Sequence, residues 1–445
     1  MFTAENFRRI FDAENRKGLD VATRFFPGLE PMTHAVREKV SEIRRWRKSA
    51  VARPALEQES GLSALRAQLA ELKEIKSVAV DDLMTKLSKS VGLPGFRIQL
   101  DKKTGPEGKA VYCIDGSPET FFVVKQLQRN VHRLYKVKQS NRHDLACQIR
   151  DTVGTGFPFE LVRTDVSNFY ESIDRDALYA KLDGDQLLSS SSKRFIRQIF
   201  ASYQTLSGSP KGIPRGVGIS AYLAELFLRP LDRAVTAMPG IVLYCRYVDD
   251  IVAVFARPPS GADLGSYKDR VVATITKEGL THNAGKTEEL NLGDKGGPKR
   301  FEYLGYSFSA TLRTLTIAPS DAKVAKLGAR LDAAFDQYRH SSPTRQRQAY
   351  RELVGRIKFL TGNSRLKNSK SGATTGIFYN SSLTTDMAKF DQLDALLKKR
   401  IKAVKRPSLR ASLMRFGFRS GFEERRFHNF SPRELRTIVG AWRHV

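Results

Sequence analysis

The stretch Tyr244-Cys245-Arg246-Tyr247-Val248-Asp249-Asp250-Ile251-Val252-Ala253-Val254-Phe255 sets β-branched and aromatic runs on either side of two adjacent aspartates, with no Gly or Pro between them. That pattern predicts a strand, a tight turn carrying two carboxylates, and a second strand. Asp is an ordinary turn residue, so a solvated hairpin tip is one reading. Another acid supplies a second reading: the apolar segment 157–166 carries Asp165 near its end. If the two strands pair, a third carboxylate comes alongside. Two carboxylates about 4 Å apart repel by roughly 4 kcal/mol at an effective dielectric near 20. Three gathered acids therefore need a divalent metal or a proton.

The chain is 445 residues long, too long for one compact core, which predicts two or three domains. Its formal net charge of +28 implies a polyanionic partner, most often nucleic acid; a merely soluble basic surface or an anionic-membrane binder is the alternative. No run of about 20 apolar residues exists, which excludes a spanning helix and argues against a membrane partner. Met1-Phe2-Thr3-Ala4-Glu5-Asn6 lacks the basic-then-apolar form of a signal peptide. Cys113, Cys147 and Cys245 are odd in number and scattered, which suits buried small hydrophobes in a reducing compartment. The expected location is cytoplasmic.

Residues 1–92 read as helices, with Thr3 as N-cap and Phe7, Ile10 and Phe11 on one face. Val36, Val40, Ile43 and Trp46 repeat at helical spacing among crowded Arg and Lys, a face that is either solvated or in contact with RNA. Residues 51–61 read as a polar connection, and Leu62, Leu65, Leu69, Leu72 and Ile75 as a further amphipathic helix. Residues 97–100 and 110–114 predict strands around a basic tip, 102–109. Segment 125–142 interleaves six cations with Val, Leu and Tyr, as a surface gripping a charged backbone does. Lys211-Gly212-Ile213-Pro214-Arg215-Gly216-Val217-Gly218 is a Gly-rich loop opening a helix over 219–237; its amides can face a phosphate, although it is no Walker loop. After the aspartate hairpin come a helix over 262–278, a basic loop over 293–300 and a strand over 301–308. From Ser320 the chain reads as helical, with a polar loop over 361–372 and a capping box at Ser431 and Glu434.

These blocks, in order, resemble the palm motifs of reverse transcriptases over roughly residues 129–308. Thr164-Asp165-Val166-Ser167-Asn168-Phe169-Tyr170 is similar to motif A, Gly212-Ile213-Pro214-Arg215-Gly216 with Ser220 to motif B, and Tyr247-Val248-Asp249-Asp250 to motif C. Gly279-Leu280 with Asn283 and Lys286-Thr287 is similar to motif D, and residues 301–306 to the primer grip. Any one block could occur by chance; five in order are specific.

The resemblance implies an α+β, right-hand polymerase fold: a helical N-terminal extension over 1–92, fingers over 93–159, a palm over 160–308, and a helical thumb and C-terminal region over 309–445. It implies RNA-directed DNA synthesis from deoxynucleotides on an RNA template with DNA product, using two Mg²⁺ ions about 3.5–4 Å apart, with Mn²⁺ able to substitute. In that scheme Asp165 and Asp249 bridge the metals, the Val166 carbonyl helps the second, and Asp250 completes the cluster. Lys286 serves the departing pyrophosphate, or is a surface lysine. Arg129, Arg133, Tyr170, Arg215 and Gly216 belong to the nucleotide site; Tyr170 is then a steric gate against a ribose 2′-hydroxyl, or else a core aromatic. Tyr247, Val248, Tyr303, Leu304, Gly305 and Tyr306 lie along primer and template. Arg215 departs from the glutamine that many relatives carry in motif B, adding charge and removing an amide acceptor.

The segments 14–18, 136–142 and 360–366 look most like bacterial defence-associated and abortive-infection reverse transcriptases. That implies an antiphage role with a non-coding RNA, and a second polymerase subunit or a homo-oligomer as partner. The rivals are template-independent or protein-primed synthesis, an intron-type reverse transcriptase, and a non-enzymatic RNA-binding scaffold. The last has no need of three repelling acids.

Overall fold

The computed structural model describes residues 1–49, 55–105, 108–257, 265–293, 296–365 and 373–442. The chain forms two compact units, each assembled from two stretches of sequence: Met1–Lys138 with Asn168–Leu228, and Gln139–Ser167 with Arg229–Val445.

The first unit is mostly helical. The Thr3 side chain accepts from the Asn6 N–H and opens the helix Ala4–Arg16, whose Phe7, Ile10 and Phe11 are buried as their spacing predicts. The helix Pro118–Tyr135 starts on a Ser117 cap with proline at its first position. It packs against Ala4–Arg16 and Gly218–Phe227, and the rings of Phe7 and Phe122 lie 5.6 Å apart. Helices Glu30–Ser49 and Ala55–Gly92 lie against one another, so closely that the Trp46 indole fills the space a side chain on Gly61 would need. The predicted connection is therefore shorter than 51–61, because Ala, Leu, Glu and Gln after residue 54 are strong helix formers; residues 51–54 lie outside the described ones. Leu62, Leu65, Leu69 and Leu72 are only half-buried and Ile75 is exposed. The fully buried stripe on this helix is instead Val80, Met84, Leu87 and Val91.

Strands β1 (Leu100–Thr104) and β2 (Ala110–Ile114) pair antiparallel from Leu100↔Ile114 to Thr104↔Ala110. The first strand thus starts later than the predicted 97–100, and Lys102 and Lys103 belong to the ladder. Burial of Leu100 and Tyr112 on one face sets that register. The helix predicted over 219–237 is two helices, Gly218–Phe227 and Arg229–Thr236. Pro230 lacks an N–H and its ring displaces the carbonyl four residues back, so one helix cannot run through it.

In the second unit, β3 (Phe159–Asp165), β4 (Ile241–Tyr247), β5 (Asp250–Ala256) and β6 (Glu288–Asn291) form an antiparallel sheet in the order β4-β5-β3-β6. Ile251, Val252, Ala253, Val254 and Phe255 are all fully buried, as a central strand covered on both faces requires. Nothing in Glu288-Glu289-Leu290-Asn291 announces a strand; its pairing with β3 makes it one.

A second sheet holds β7 (Lys299–Tyr303), β8 (Tyr306–Ala310) and β9 (Leu315–Pro319). The single strand predicted over 301–308 is a hairpin, with Leu304 and Gly305 at φ +49° and +80°, the left-handed pair of a tight hairpin turn. Leu145, Ile149, Leu161, Val252, Val254, Phe301, Phe308 and Ile317 share the core beneath both sheets. The helix predicted from residue 262 starts at Tyr267 on a Ser266 cap, and residues 262–264 lie outside the described ones.

Helices Asp321–Arg339, Gln346–Thr361, Ala388–Lys402, Phe418–Glu423 and Pro432–Gly440 surround a core of Leu331, Phe335, Leu353, Phe390, Leu397 and Phe418. Ser431 and Glu434 form the predicted capping box. The loop predicted over 361–372 begins as β10 (Asn363–Arg365), paired with β11 (Thr374–Gly376); residues 366–372 lie outside the described ones. Among the described residues no helix is long and apolar enough to cross a membrane.

Candidate active site

Antiparallel pairing of β3 with β5 sets Asp165 directly opposite Asp250, and Tyr247↔Asp250 closes a two-residue turn of Val248 and Asp249. Val248 sits at φ +60°. A β-branched residue in the left-handed region is an outlier costing about 1–2 kcal/mol, and such strain persists only where the surroundings over-determine it. Here Arg246 supplies the hold. Its Nη1 donates to the Val248 carbonyl at 3.0 Å, while Nε and Nη2 donate to the two carboxylate oxygens of Asp232 at 2.7 and 2.8 Å. The Tyr244 hydroxyl donates to the same Asp232 at 2.8 Å. The Arg246 side chain is only 7% exposed. From the other side, the Val166 N–H donates to the Asp249 carbonyl at 3.0 Å. Asp232 and Arg246 form no recognisable motif, and only folding connects them.

The Lys286 loop is tied to the end of β3. The Asn283 N–H donates to the Asp165 carbonyl at 2.7 Å, and the Ser167 N–H to the Thr281 carbonyl at 2.8 Å. The hydroxyls of Thr164 and Thr287 are 2.8 Å apart. The Asn283 side chain caps the single turn Ala284–Lys286 by accepting from the Gly285 N–H. This brings Lys286 Nζ to 2.8 Å from Asp165 Oδ2, and that hydrogen bond raises the Lys286 pKa.

Asp250 lies 3.9 Å from Arg163 Nε through Oδ1, an oxygen that has no hydrogen-bond partner among the described residues. Burial pushes its carboxyl up to about 7; Arg163 opposes the shift, and the charges of Asp165 and Asp249 add to it. Among the described residues no three His, Cys, Asp or Glu side chains converge as a group that could hold a metal ion: Lys286 engages Asp165 and Arg163 faces Asp250. The chemistry of the donors nevertheless fits a hard divalent cation. Three carboxylates and the Val166 carbonyl are all oxygen ligands, and an orphaned buried carboxylate oxygen is the kind of acceptor a cation satisfies.

A raised carboxyl pKa has a definite stability signature. The unfolded chain releases this proton near its ordinary 3.8, the folded chain only near 7, so stability falls as pH rises between those values. Asp250→Asn is therefore expected to gain melting temperature relative to the parent as pH rises from 4 to 7, by a few degrees, with the advantage level above 7. Thermal unfolding in chelator across that range checks it; an advantage that shrinks with pH would contradict the desolvated carboxyl.

The sequence-predicted nucleotide residues lie in the first unit. Ile213 and Gly212 donate their N–H groups to the Tyr170 and Ile173 carbonyls at 2.8 and 2.7 Å, which lays the Gly-rich loop along the turn of helix Phe169–Ser172. The Arg215 guanidinium lies 5.6 Å from the Tyr170 ring centroid and bonds Glu171 at 3.2 Å. Gly216, at φ +99°, approaches Tyr112 so closely that a Cβ would lie 2.7 Å from its carbonyl oxygen. Arg129 and Arg133 are exposed on helix Pro118–Tyr135, and Arg129 lines a cavity of about 300 Å³ with Glu14, Lys17, Lys125 and His132.

Of the hairpin residues, Tyr303 and Tyr306 are 1% and 6% exposed. They support the Leu304-Gly305 turn from within the core, and the Tyr303 hydroxyl donates to the Asp250 carbonyl at 3.4 Å. Tyr247 is partly exposed and carries the Arg142 guanidinium 5.2 Å above its ring. Arg142 ends the basic segment 125–142 and has no signal of its own in the sequence.

Residues 122–308 match the family model described as "Reverse transcriptase (RNA-dependent DNA polymerase)". This stretch of the chain therefore has the sequence character of a reverse transcriptase domain. Among solved structures it is similar to apo telomerase from Candida tropicalis (12% identity over 77% of this chain and 61% of that one, TM-score 0.38). It is also similar to that telomerase truncated from its C-terminal domain (12%, 50% and 55%, TM-score 0.35). A third is telomerase from Candida albicans in complex with a TWJ fragment of telomeric RNA (11%, 64% and 55%, TM-score 0.33). The chain spans a little over half the length of these telomerase chains. No curated protein matches its sequence.

Proposed function

We propose that the protein extends DNA 3′ ends with deoxynucleotides on an RNA template, within a fingers, palm and thumb arrangement following the boundaries 93–159, 160–308 and 309–445. The observation that carries this is the cross-strand pair Asp165↔Asp250 beside the Asp249 turn, with Lys286 on Asp165. Asp165, Asp249, Asp250 and the Val166 carbonyl would hold two Mg²⁺ ions. When bound, these ions lower the pKa of the attacking hydroxyl and neutralise charge on the leaving pyrophosphate.

The protein's own groups do the rest. Lys286 exchanges Asp165 for an incoming phosphate and is a cation beside the leaving group. Leu304 and Gly305 carry the primer contact, with Tyr303 and Tyr306 holding their turn. Tyr170 stands against a ribose 2′-hydroxyl, stiffened by Arg215; Tyr170→Ala is expected to raise ribonucleotide incorporation relative to deoxynucleotide at least about tenfold, read from competing single-nucleotide additions.

We further propose that the enzyme acts in bacterial antiphage defence with a non-coding RNA template, on the likeness of segments 14–18, 136–142 and 360–366 to defence-associated enzymes. The test is to purify the protein, sequence its bound nucleic acid, and supply Mg²⁺ with labelled nucleotides. Product that is lost after RNase supports an RNA template. Product that survives Asp249→Ala with Asp250→Ala sinks the site. Resistant homopolymer, or DNA left covalently on protein, points to untemplated or protein-primed synthesis.

A further inference from the structure

Residues 360–365 have no part in the catalytic assignment, yet the structure gives them a definite task. Asn363 is 1% exposed and ties three pieces of chain together. Its N–H donates to the Arg426 carbonyl and its own carbonyl accepts from the His428 N–H, both at 2.8 Å. It thereby forms a parallel bridge with Phe427. Its side-chain oxygen accepts from the Phe378 N–H at 3.0 Å. Gly376 packs against it so tightly that a Cβ there would lie 2.5 Å from the Asn363 Cα.

This buried hub displays a patch that the core does not need. Tyr379 and Phe427 are 40% and 44% exposed, with ring centroids 5.7 Å apart in an edge-on arrangement. The Arg365 guanidinium lies 5.9 Å from the Phe427 centroid, and that of Arg425 lies 4.2 Å from Phe378, the inner neighbour of Tyr379. Neither arginine has an acidic partner among the described residues, whereas nearby Glu424 is taken by Arg426 at 2.7 Å. Two exposed rings flanked by two guanidinium groups that have no acidic partner among the described residues suit an occupant with flat π-faces and a regular negative charge.

We propose that Tyr379, Phe427, Arg365 and Arg425 form a stacking platform for single-stranded nucleic acid. The rings receive unpaired bases, and the arginines receive the phosphates on either side. Template RNA and DNA product share that chemistry. The assignment stands apart from the catalytic one, because binding is read without nucleotides or metal.

The experiment measures fluorescence anisotropy of the full chain, in chelator, with a labelled dT12, a matching abasic 12-mer and rU12. The intact protein is expected to bind dT12 at least about tenfold tighter than the abasic strand. Tyr379→Ser with Phe427→Ser removes most of that difference and leaves abasic binding within about twofold. Arg365→Gln with Arg425→Gln weakens all three strands and lowers the salt slope by about 0.7 per lost phosphate contact. A strand carrying 5-iodouracil photocrosslinks to Tyr379 or Phe427. Tighter binding of rU12 assigns the platform to RNA, and tighter binding of dT12 to DNA, each in support. A base preference unchanged by the double serine variant, with crosslinks only elsewhere, overturns the proposal. So does release of a co-purifying protein by that variant without any change in strand binding.

Discussion

Asp249→Asn is expected to lower nucleotide incorporation on the order of 10³-fold while leaving the protein folded. The backbone of this turn is held by the Val166 N–H on the Asp249 carbonyl and by the Tyr247↔Asp250 closure, contacts that an asparagine at 249 keeps. Circular dichroism and melting temperature should therefore stay close to the parent while single-turnover extension collapses. Asparagine keeps the size and loses the charge, so the loss reports the charge. Lys286→Ala should cost less, roughly 10²-fold, as a positioned proton donor typically does. A variant that loses a carboxylate and keeps extending a primer at the parental rate would remove the turn from the chemistry.

The second large effect is on stability. Asp232→Ala removes the bidentate carboxylate partner of Arg246, whose side chain is only 7% exposed, and breaking a buried ion pair by removing one partner costs about 3–5 kcal/mol. Because the Asp232 side chain is itself 28% exposed, water offsets part of this, and the lower end, about 3 kcal/mol, is expected. Urea unfolding read by intrinsic fluorescence gives the value. The loss should also spread to catalysis, since Arg246 bridges Asp232 to the Val248 carbonyl. Under conditions where the variant is still folded, kcat should fall with little change in the KM for nucleotide, because what loosens is the acid-bearing turn. Arg246→Met with Asp232→Leu, which leaves no unpaired charge, should recover much of the stability but not the kcat. A variant whose kcat follows its folded fraction alone would reduce the network to a structural role.

The acids were legible because their chemistry is dense in one dimension. Asp249 and Asp250 are adjacent, Asp165 ends an apolar run, and continuous β-branched and aromatic runs identify the strands around them. Helix faces such as Phe7, Ile10 and Phe11 were legible for the same reason, since their periodicity is local. What escaped was set by pairing or sterics at a distance. Residues 288–291 look like a polar loop and become β6 only against β3. Residues 301–308 look like one strand, and Leu304, an unlikely left-handed residue, folds them into two. The break within 219–237 differs, because Pro230 is a local signal that the single-helix reading passed over.

By itself, the sequence singled out the groups proposed to carry the chemistry, the three aspartates and Lys286, and the order of motifs within the stretch that the family model matches. Composition and local spacing suffice for this, because residue type is chemistry. Tertiary structure alone decided how those groups are held and charged. The strained Val248 turn rests on Arg246 and Asp232, the carboxyl of Asp250 is raised by burial, and Asn363 sets out two rings and two arginines on the surface. Burial, strain and pairing are properties of what surrounds a residue, and a chain acquires surroundings only by folding.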